Sequence, residues 1–448
     1  MTTDPSPVPV IIDTDPGVDD VLAILLALSS PHLLILGITL THGNTTLPAT
    51  LANLEKLFYA LERQLEQHPE QRERWKGVDT EWRKRHGVGP IEVYLGSEGP
   101  VKGKAVTAKY FHGRDGLANI DLRHPDLTPP SGHRSPFFTV SSSSALDGVT
   151  TLLNSHPAQS VAYLALGPLT SLAQLHLSSP TADQDDSLLS RFSLILSMGG
   201  AVAHPGNTTP VAEFNVYADA FAAETVFSLA LPNLYLFPLD ITTTLTLPFS
   251  LYQSAVDPSF SDTRTHSRTK GKSPLTHFTS SFLEGTKEVM ARFGGEAMEL
   301  HDPTVVYALI EWARARGDLG KEEEEEGSEG EFAPGWGWEM VEFEVETTGT
   351  LTRGMLVRDL RVSARSSSSL SARTGLTNRA EAVEVVEALV LDVEEVEARH
   401  AEGEESLKEV EERTKRERTS GARVVVSSPG SERMREELLR SVWGVEAA

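Results

Sequence analysis

The run from Val10 to Asp20 constrains the fold of this chain more than any other part of its sequence. It reads Val-Ile-Ile-Asp-Thr-Asp-Pro-Gly-Val-Asp-Asp, so apolar β-formers lead directly into four carboxylates. Pro16 and Gly17 break the strand, and the apolar run Val21–Leu28 that follows is typical of a buried helix. The acids are therefore predicted to lie at the carboxyl end of a first strand, where open α/β sheets bind their ligands.

The acidic run also narrows the chemistry of the chain. Four carboxylates this close repel one another unless a cation or hydrogen-bond donors hold them in place. Oxygen ligands at this density suit Ca²⁺ or Mg²⁺. Asp19 and Asp20 would also be ordinary N-terminal residues of a helix, which they help to start. Two acidic pairs directly after a strand favour a metal site over that purely structural interpretation.

Composition excludes several classes of protein. The 448 residues carry a formal net charge of −24, which disfavours nucleic acid or an anionic membrane as the main partner because both would be repelled. The absence of cysteine excludes disulfides, thiolate metal ligands and a cysteine nucleophile. No stretch approaches an apolar span of about 20 residues. Residues 1–9 lack the basic and apolar parts of a signal peptide, so we expect a cytoplasmic protein.

Short apolar runs alternate with helical stretches along the first half of the chain. This βαβ pattern predicts an α/β fold with a parallel sheet. Near the C-terminus, Arg423–Ser427 has strand character and Ser431–Trp443 is predicted to be a final helix. The predicted strands after the first are 34–41, 91–95, 161–166, 192–198 and 234–239.

Three polar segments are predicted to be charged or low-complexity insertions within one domain that spans residues 1–448. Residues 64–89 are highly charged and are expected to be solvated. Residues 321–331 include five consecutive glutamates, a block typical of disorder. Residues 366–420 begin with a serine-rich linker and continue into a charged helix, 381–418, with a narrow apolar stripe.

Two further stretches have the composition of ligand-binding loops. In 111–119, His112 lies among glycines and polar residues, although a lone histidine in such a loop is more often an ordinary surface residue. In 206–217, Asn207, Glu213 and Asn215 offer donors and acceptors that suit sugar hydroxyls. A network of Asx turns is the alternative interpretation of that loop.

Another stretch, Leu300–Pro303, precedes a predicted helix from Thr304 to Ala313. Asp302, directly before a proline at the first helical position, makes a good N-cap. The His301–Asp302 pair would alternatively supply a proton donor and a metal ligand beside the other carboxylates. Ser141–Ser144 lacks the Gly-X-Ser-X-Gly surroundings of a serine nucleophile, so a loop or a helix N-terminus is expected there.

Taken together, these stretches resemble the nucleoside hydrolases of the inosine–uridine-preferring type. The aspartate signature combined with the Val-Ala-Glu-Phe-Asn-Val loop is highly specific for that family. The stretches that carry the resemblance occur in the family's order: Asp13–Asp20, His42–Asn44, Leu166–Thr170, Met198–Gly200, Gly206–Val216, His301–Pro303 and Leu351–Met355.

The resemblance implies an open, mostly parallel sheet with helices on both faces and a Rossmann-like core. It also implies a tightly held Ca²⁺ and a small-molecule ribonucleoside as substrate. By motif position, the Ca²⁺ ligands would be Asp15, Asp20, Asp302 and the backbone carbonyl of Leu166. The residues around the ribose would be Asp19, Asn44, Asn207, Glu213, Phe214 and Asn215. His112 and His301 would lie near the base, and family members are usually dimers or tetramers.

The implied reaction is hydrolysis of the N-glycosidic bond of purine or pyrimidine ribonucleosides to free base and ribose. Cleavage builds positive charge on the ribose, as in glycoside hydrolysis, and nearby carboxylates and amide oxygens would stabilise it. Asp15 would deprotonate a water that Ca²⁺ also holds. His301 would protonate the departing base because histidine titrates near neutral pH, and His112 is a further catalytic candidate. Histidines where purine-only members carry tryptophans favour inosine and uridine.

Two other interpretations stay open from the residues alone. An aspartate-based Mg²⁺ phosphohydrolase also closes its first strand with Asp-X-Asp, but it has no need of the Asn/Glu-rich loop or the His301–Asp302 pair. A non-catalytic nucleoside or sugar binder would keep the pocket, yet the complete set of carboxylates argues against it. Release of phosphate, release of ribose, or binding without turnover separates the three.

Overall fold

The computed structural model describes residues 6–178, 187–260, 268–318, 330–360 and 420–446. Residues 1–357 together with 420–448 form one unit, which carries all the elements described below. Residues 358–419 form a second unit, of which the described ranges include only 358–360. The predictions for the glutamate block at 321–329 and for 366–419 therefore lie outside the described residues.

The strands of the first unit are short, from two to eight residues. They are β1 (Val8–Thr14), β2 (Leu33–Leu40), β3 (Ile91–Leu95), β4 (Phe138–Ser144), β5 (Ala162–Ala165), β6 (Leu194–Met198), β7 (Leu234–Phe237), β8 (Thr246–Pro248), β9 (Ala297–Glu299), β10 (Glu331–Ala333), β11 (Trp336–Glu342), β12 (Glu344–Val345), β13 (Leu356–Val357) and β14 (Gly421–Val425). All five strands predicted after the first are present, with ends that differ by one or two residues.

Helices fill most of the connections between these strands. They are α1 (Val18–Ser29), α2 (Leu47–Gln67), α3 (Thr80–Arg85), α4 (Lys109–His112), α5 (Ile120–Arg123), α6 (Ala145–Ser155), α7 (Thr170–Leu177), α8 (Phe214–Ala218), α9 (Ala220–Phe227), α10 (Leu239–Thr242), α11 (Phe249–Ala255), α12 (Pro274–Arg292), α13 (His301–Asp318) and α14 (Ser431–Leu438). None of the helices in the described ranges combines the length and apolarity that a membrane span requires.

One ten-stranded sheet organises the unit, in the order β10-β11-β14-β7-β6-β5-β1-β2-β3-β4. The strands from β14 to β4 pair in parallel, and β11 near one edge pairs antiparallel with both β14 and β10. The chain builds outward from β1 through β2, β3 and β4, then returns to β5 on the other side of β1. This reversal between β1 and β5 is the switch point at which such sheets bind ligands.

Helices cover both faces of the sheet, and the alternation of side chains along β1 shows it directly. Val10 and Ile12 pack in a core that contains the apolar residues of α1 and α13. Ile11 points to the other face and packs with residues of α6, α7 and α9. Successive residues of a strand face opposite sides of a sheet, so an all-apolar strand requires a covered sheet on both sides. The predicted open, mostly parallel α/β sheet with helices on both faces is confirmed.

The expectation that residues 64–89 are simply solvated is wrong. α2 continues to Gln67, and the segment after it folds into two short 3₁₀ helices and α3. Trp75 and Trp82 are fully buried, one in each of the two cores. Most of the charged residues around them are exposed or half-buried, although Arg83 is buried and donates to the carbonyls of Gly77 and Gly89. The many charged residues concealed the two buried tryptophans in the sequence pattern.

Two local predictions also need correction. α13 begins at His301 rather than Thr304, so Asp302 lies inside the first helical turn and is not the N-cap. Pro303 does not prevent this because a proline is tolerated in the first turn, where its missing N–H has no helical partner. Ser141–Ser144 was expected to be a loop or a helix N-terminus. It forms the end of β4, although Ser144 does cap α6 by accepting a hydrogen bond from the Asp147 amide.

Candidate active site

The acidic run lies at the carboxyl end of β1, beside the turn that follows β5. The Leu166 amide donates to the carbonyl of Asp13 at 2.8 Å, so the two strand ends are locked together. Asp13 itself is buried among hydroxyls, accepting hydrogen bonds from Thr39 and Ser171. Asp15 comes next along the strand and reaches the switch point. The strand ends therefore carry the acids to the place that the sequence pattern indicated.

The Asp15 carboxylate lies against two glycines. Gly43 contacts Oδ2 so closely that a β-carbon there would overlap it, and a β-carbon on Gly167 would lie 2.6 Å from Oδ1. The Asn44 amide donates to Oδ2 at 2.5 Å, whereas Oδ1 is buried without a donor among the described residues. Burial raises the pKa of Asp15 well above its usual range, and the neighbouring charge of Asp20 adds to the effect.

Asp20 turns back from α1 towards the strand end. Its carboxylate accepts hydrogen bonds from the Thr14 hydroxyl at 2.5 Å and the Gly17 amide at 2.9 Å. The Asn44 side-chain amide donates to it at 2.9 Å. Asp20 thus stabilises the start of α1, as a first-turn acid would, and also lies beside Asp15. The structural and the metal-binding interpretations of this residue are compatible.

Asp302 reaches the same place from α13. Carboxylate oxygens of Asp19, Asp20 and Asp302, called the acid group below, lie within 4.8 Å of one another. Burial raises the pKa of Asp302 well above its usual range, and the charges of Asp19, Asp20 and Asp15 raise it further. Burial and Asp20 raise the pKa of Asp19 to about 7. Buried carboxylates repelling one another, with the unpartnered Oδ1 of Asp15 nearby, fit a divalent cation that prefers oxygen ligands.

The loop before α8 forms the amide-rich wall of the site. Glu213 accepts backbone hydrogen bonds from Gly200 and Asn215, each at 2.8 Å, and from Val216 at 3.1 Å. The Asn215 side chain donates to the carbonyl of Leu166 at 2.8 Å, the carbonyl that was predicted as a metal ligand. Burial raises the pKa of Glu213, and its backbone donors oppose that shift. These bonds hold the side chains rigidly towards the cavity.

The Asn207 side chain works within the same loop. Its Oδ1 accepts a hydrogen bond from the Phe214 amide at 2.9 Å. This contact closes the loop across seven residues, a longer span than the two residues of an Asx turn. Because Asn207 also borders the cavity, the loop-forming and the ligand-facing interpretations both apply to it.

The two histidines that border the cavity have pKa values shifted in opposite directions. The Val18 amide donates to Nδ1 of His112 at 3.3 Å, so the proton of the neutral ring is on Nε2. Burial lowers the pKa of His112 to about 4, which keeps it neutral. Burial would also lower the pKa of His301, but its hydrogen bond to Glu299 and the charges of Asp19 and Glu213 outweigh burial and raise it.

The cavity above the acids has a volume of about 320 Å³. Its lining contains ten predicted site residues: Asp19, Asn44, His112, Leu166, Asn207, Glu213, Phe214, Asn215, His301 and Asp302. Asp15 and Asp20 are not in the lining, but Asn44, which is, donates hydrogen bonds to both carboxylates. The residues drawn from distant parts of the chain therefore meet in one place.

Sequence reasoning missed part of the lining. The missed residues are Ala108, Tyr110, Met290, Phe293, Met298 and Glu299; Phe111, Met198 and Gly206 were noted only as members of motif stretches. Tyr110 and Glu299 lie two residues before His112 and His301, so proximity to a motif could have found them. Met290 and Phe293, at the end of α12, carry no local signal, because only the packing of α12 against β9 brings them to the site.

A doubly covered parallel sheet with acids at its switch point, beside a cavity lined by amides and carboxylates, is typical of an α/β protein that binds a small polar ligand. The chain belongs to the inosine-uridine preferring nucleoside hydrolase family, whose sequence profile matches residues 10–398. It is therefore a ribonucleoside hydrolase. The predicted family and enzyme class are confirmed.

Individual relatives agree with this assignment. A probable uridine nucleosidase 2 of Oryza sativa subsp. japonica is 29% identical over 303 residues, which cover 67% of this chain and 73% of that protein. The pyrimidine-specific ribonucleoside hydrolase RihA of Salmonella typhimurium is 34% identical over 234 residues, 52% of this chain and 61% of RihA. The structure of the plant nucleoside hydrolase PpNRh1 superimposes with a TM-score of 0.60 at 20% identity, covering 98% and 99% of the two chains.

Proposed function

We propose that this enzyme is a Ca²⁺-dependent nucleosidase that hydrolyses the N-glycosidic bond of ribonucleosides, with uridine and inosine as its preferred substrates. One observation carries the proposal: a single cavity is lined by Asp19 and Asp302 of the acid group together with Asn207, Glu213 and Asn215. The carboxylates suit a cation that binds a diol, and the amides suit ribose hydroxyls. The names of the rice and Salmonella relatives support pyrimidine nucleosides as substrates.

The residues that would hold Ca²⁺ are Asp15, Asp20, Asp302 and the carbonyl of Leu166, with Asp19 at the edge of the same group. When bound, Ca²⁺ would supply a positive charge that anchors the ribose hydroxyls and orients the attacking water. Asp15 is the proposed general base. Its Oδ1 has no donor among the described residues, which suits a carboxylate oxygen shared between the ion and the attacking water.

The amide-rich wall would act on the ribose. Loss of the base leaves positive charge on the sugar ring, and the fixed oxygens of Glu213 and Asn215 would stabilise that charge without having to rearrange. Asn44, Asn207 and Asp19 would bind the hydroxyls and orient the ring. Groups held by several hydrogen bonds are best suited to this task, because their positions are set before substrate arrives.

The two histidines would serve the departing base. His301 is the proposed proton donor, because its hydrogen bond to Glu299 and the charges of Asp19 and Glu213 raise its pKa and so favour the protonated ring. Its Nε2 lies 3.2 Å from Glu299, so donation requires that hydrogen bond to be exchanged for one to the base. His112 is neutral, and its Nε2–H would donate a hydrogen bond to substrate rather than a proton.

The test is release of reducing sugar from inosine, uridine, cytidine and adenosine, with Ca²⁺ and with excess chelator. We expect ribose release that chelation abolishes and Ca²⁺ restores. Asp15→Asn should lower kcat by about 10²–10⁴-fold, whereas Asp147→Asn, at an exposed aspartate of α6, should leave it unchanged. Phosphate release from nucleotides, or nucleoside binding without turnover, would contradict the proposal.

A further inference from the structure

The cavity lining contains apolar as well as polar side chains. Met298 and Glu299 belong to the same short strand, β9, and Met290 and Phe293 come from the end of α12, which packs against it. These apolar side chains suit the flat face of a nucleobase, and the acids and amides of the lining suit the ribose hydroxyls. Glu299 is the carboxylate that β9 places among the apolar groups.

Glu299 has unused capacity to accept hydrogen bonds. One oxygen, Oε2, lies 3.2 Å from His301 Nε2, and among the described residues no other donor contacts the carboxylate. An ionised carboxylate has roughly four acceptor positions and no donor. Its side chain is about one-third exposed at the cavity, so a ligand can reach the free oxygen.

His301 does not need both partners for its orientation. Its Nδ1 is 2.9 Å from the Thr242 hydroxyl, which fixes the other side of the ring. If the second partner of His301 only held the ring in place, an amide or a hydroxyl would serve as well as the Glu299 carboxylate. A carboxylate at this position adds something else: it accepts an N–H and repels a lone pair.

We propose that Glu299 determines base specificity by accepting the ring N–H of a lactam base, N3–H of uracil or N1–H of hypoxanthine. The proposal rests on the nucleosidase function proposed above. Cytosine and adenine present a ring-nitrogen lone pair at the corresponding position, which a carboxylate rejects. Sites built to bond a substrate N–H discriminate strongly against analogues that lack it, since a buried polar group is left unpaired.

The experiment compares kcat/KM for uridine with cytidine, and for inosine with adenosine, in wild type, Glu299→Gln and Thr242→Val. Glutamine has the size of glutamate but carries an NH₂ group that can donate to a lone pair. Glu299→Gln should therefore reduce the uridine-to-cytidine preference by about tenfold or more. Thr242→Val is the matched control: it removes the other partner of His301 and should lower all rates while keeping the ratios.

The outcomes separate the two proposals. Equal losses on all four nucleosides in Glu299→Gln would mean that Glu299 only supports His301, and the specificity role would be overturned while the nucleosidase function stands. Wild-type preference for cytidine and adenosine would also overturn it. If the wild-type enzyme with Ca²⁺ releases ribose from none of the four, both proposals fail. A further check is 3-methyluridine, which should be a far poorer substrate than uridine for wild type.

Discussion

Gly167 can be tested as the residue that leaves room for the Asp15 carboxylate. A β-carbon at Gly167 would lie 2.6 Å from Oδ1 of Asp15, and ordinary contact begins near 3.4 Å. Gly167→Ala therefore forces a displacement of about 0.8 Å. Asp15 cannot easily yield, because Gly43 lies against its other oxygen and the Asn44 amide holds that oxygen. The backbone of Gly167 lies outside the left-handed region, so alanine brings no other strain.

The expected effect falls on catalysis and on Ca²⁺ affinity more than on folding. A misplacement of about 1 Å at a reacting group can cost about 10²-fold in rate, equivalent to about 2.7 kcal/mol of barrier. Overpacking should cost about 1–3 kcal/mol of stability. The assay is kcat/KM on uridine across a Ca²⁺ titration, with urea unfolding beside it. Gly89→Ala, where the β-carbon meets open space, is the control. Wild-type kcat/KM and Ca²⁺ affinity in Gly167→Ala would refute the reasoning.

Three further predictions concern stability. Trp75→Ala should lower the free energy of unfolding in urea by about 3–5 kcal/mol, because the indole is fully buried. A decrease below about 1 kcal/mol would contradict the conclusion that residues 64–89 are anchored in the core. Burial lowers the pKa of His42 below 6.5, so its unfolded form binds a proton more readily and stability falls as pH drops below about 6.5; His42→Leu should flatten that decline, and an unchanged pH profile would contradict it. Ca²⁺ at about 100-fold its Kd should add about 2.7 kcal/mol to wild type and little to Asp302→Asn; equal gains would exclude Asp302 as a ligand.

Much of the fold and the composition of the site could be predicted because their signals are local. The apolar run before Asp13 predicts a buried strand, and parallel strands bring their carboxyl ends to one edge. That logic places Asp15 next to the turn after β5, although more than 150 residues separate them. The family motifs then indicated the distant partners Asn215 and Asp302.

The rest depended on tertiary packing, which leaves no periodic trace in the sequence. Trp75 and Trp82 lie in a segment whose charge suggested solvent, yet both are buried. Glu299 reaches His301 because the three-residue strand β9 ends just before α13. No spacing rule in the sequence predicts that placement. The lining by Met290 and Phe293 depends on where α12 ends against β9. Their roles in substrate binding stay predictions.

The late return of β14 to the middle of the sheet bears on how the nascent chain matures. β7 is complete at Phe237, but its neighbour β14 begins only at Gly421. About 180 residues must be translated in between, roughly 10–40 s at 5–20 residues per second. During that interval β7 has an unpaired edge, to which a strand of another chain could add. Until β14 is synthesised, pairing of this edge with other chains would therefore compete with completion of the sheet.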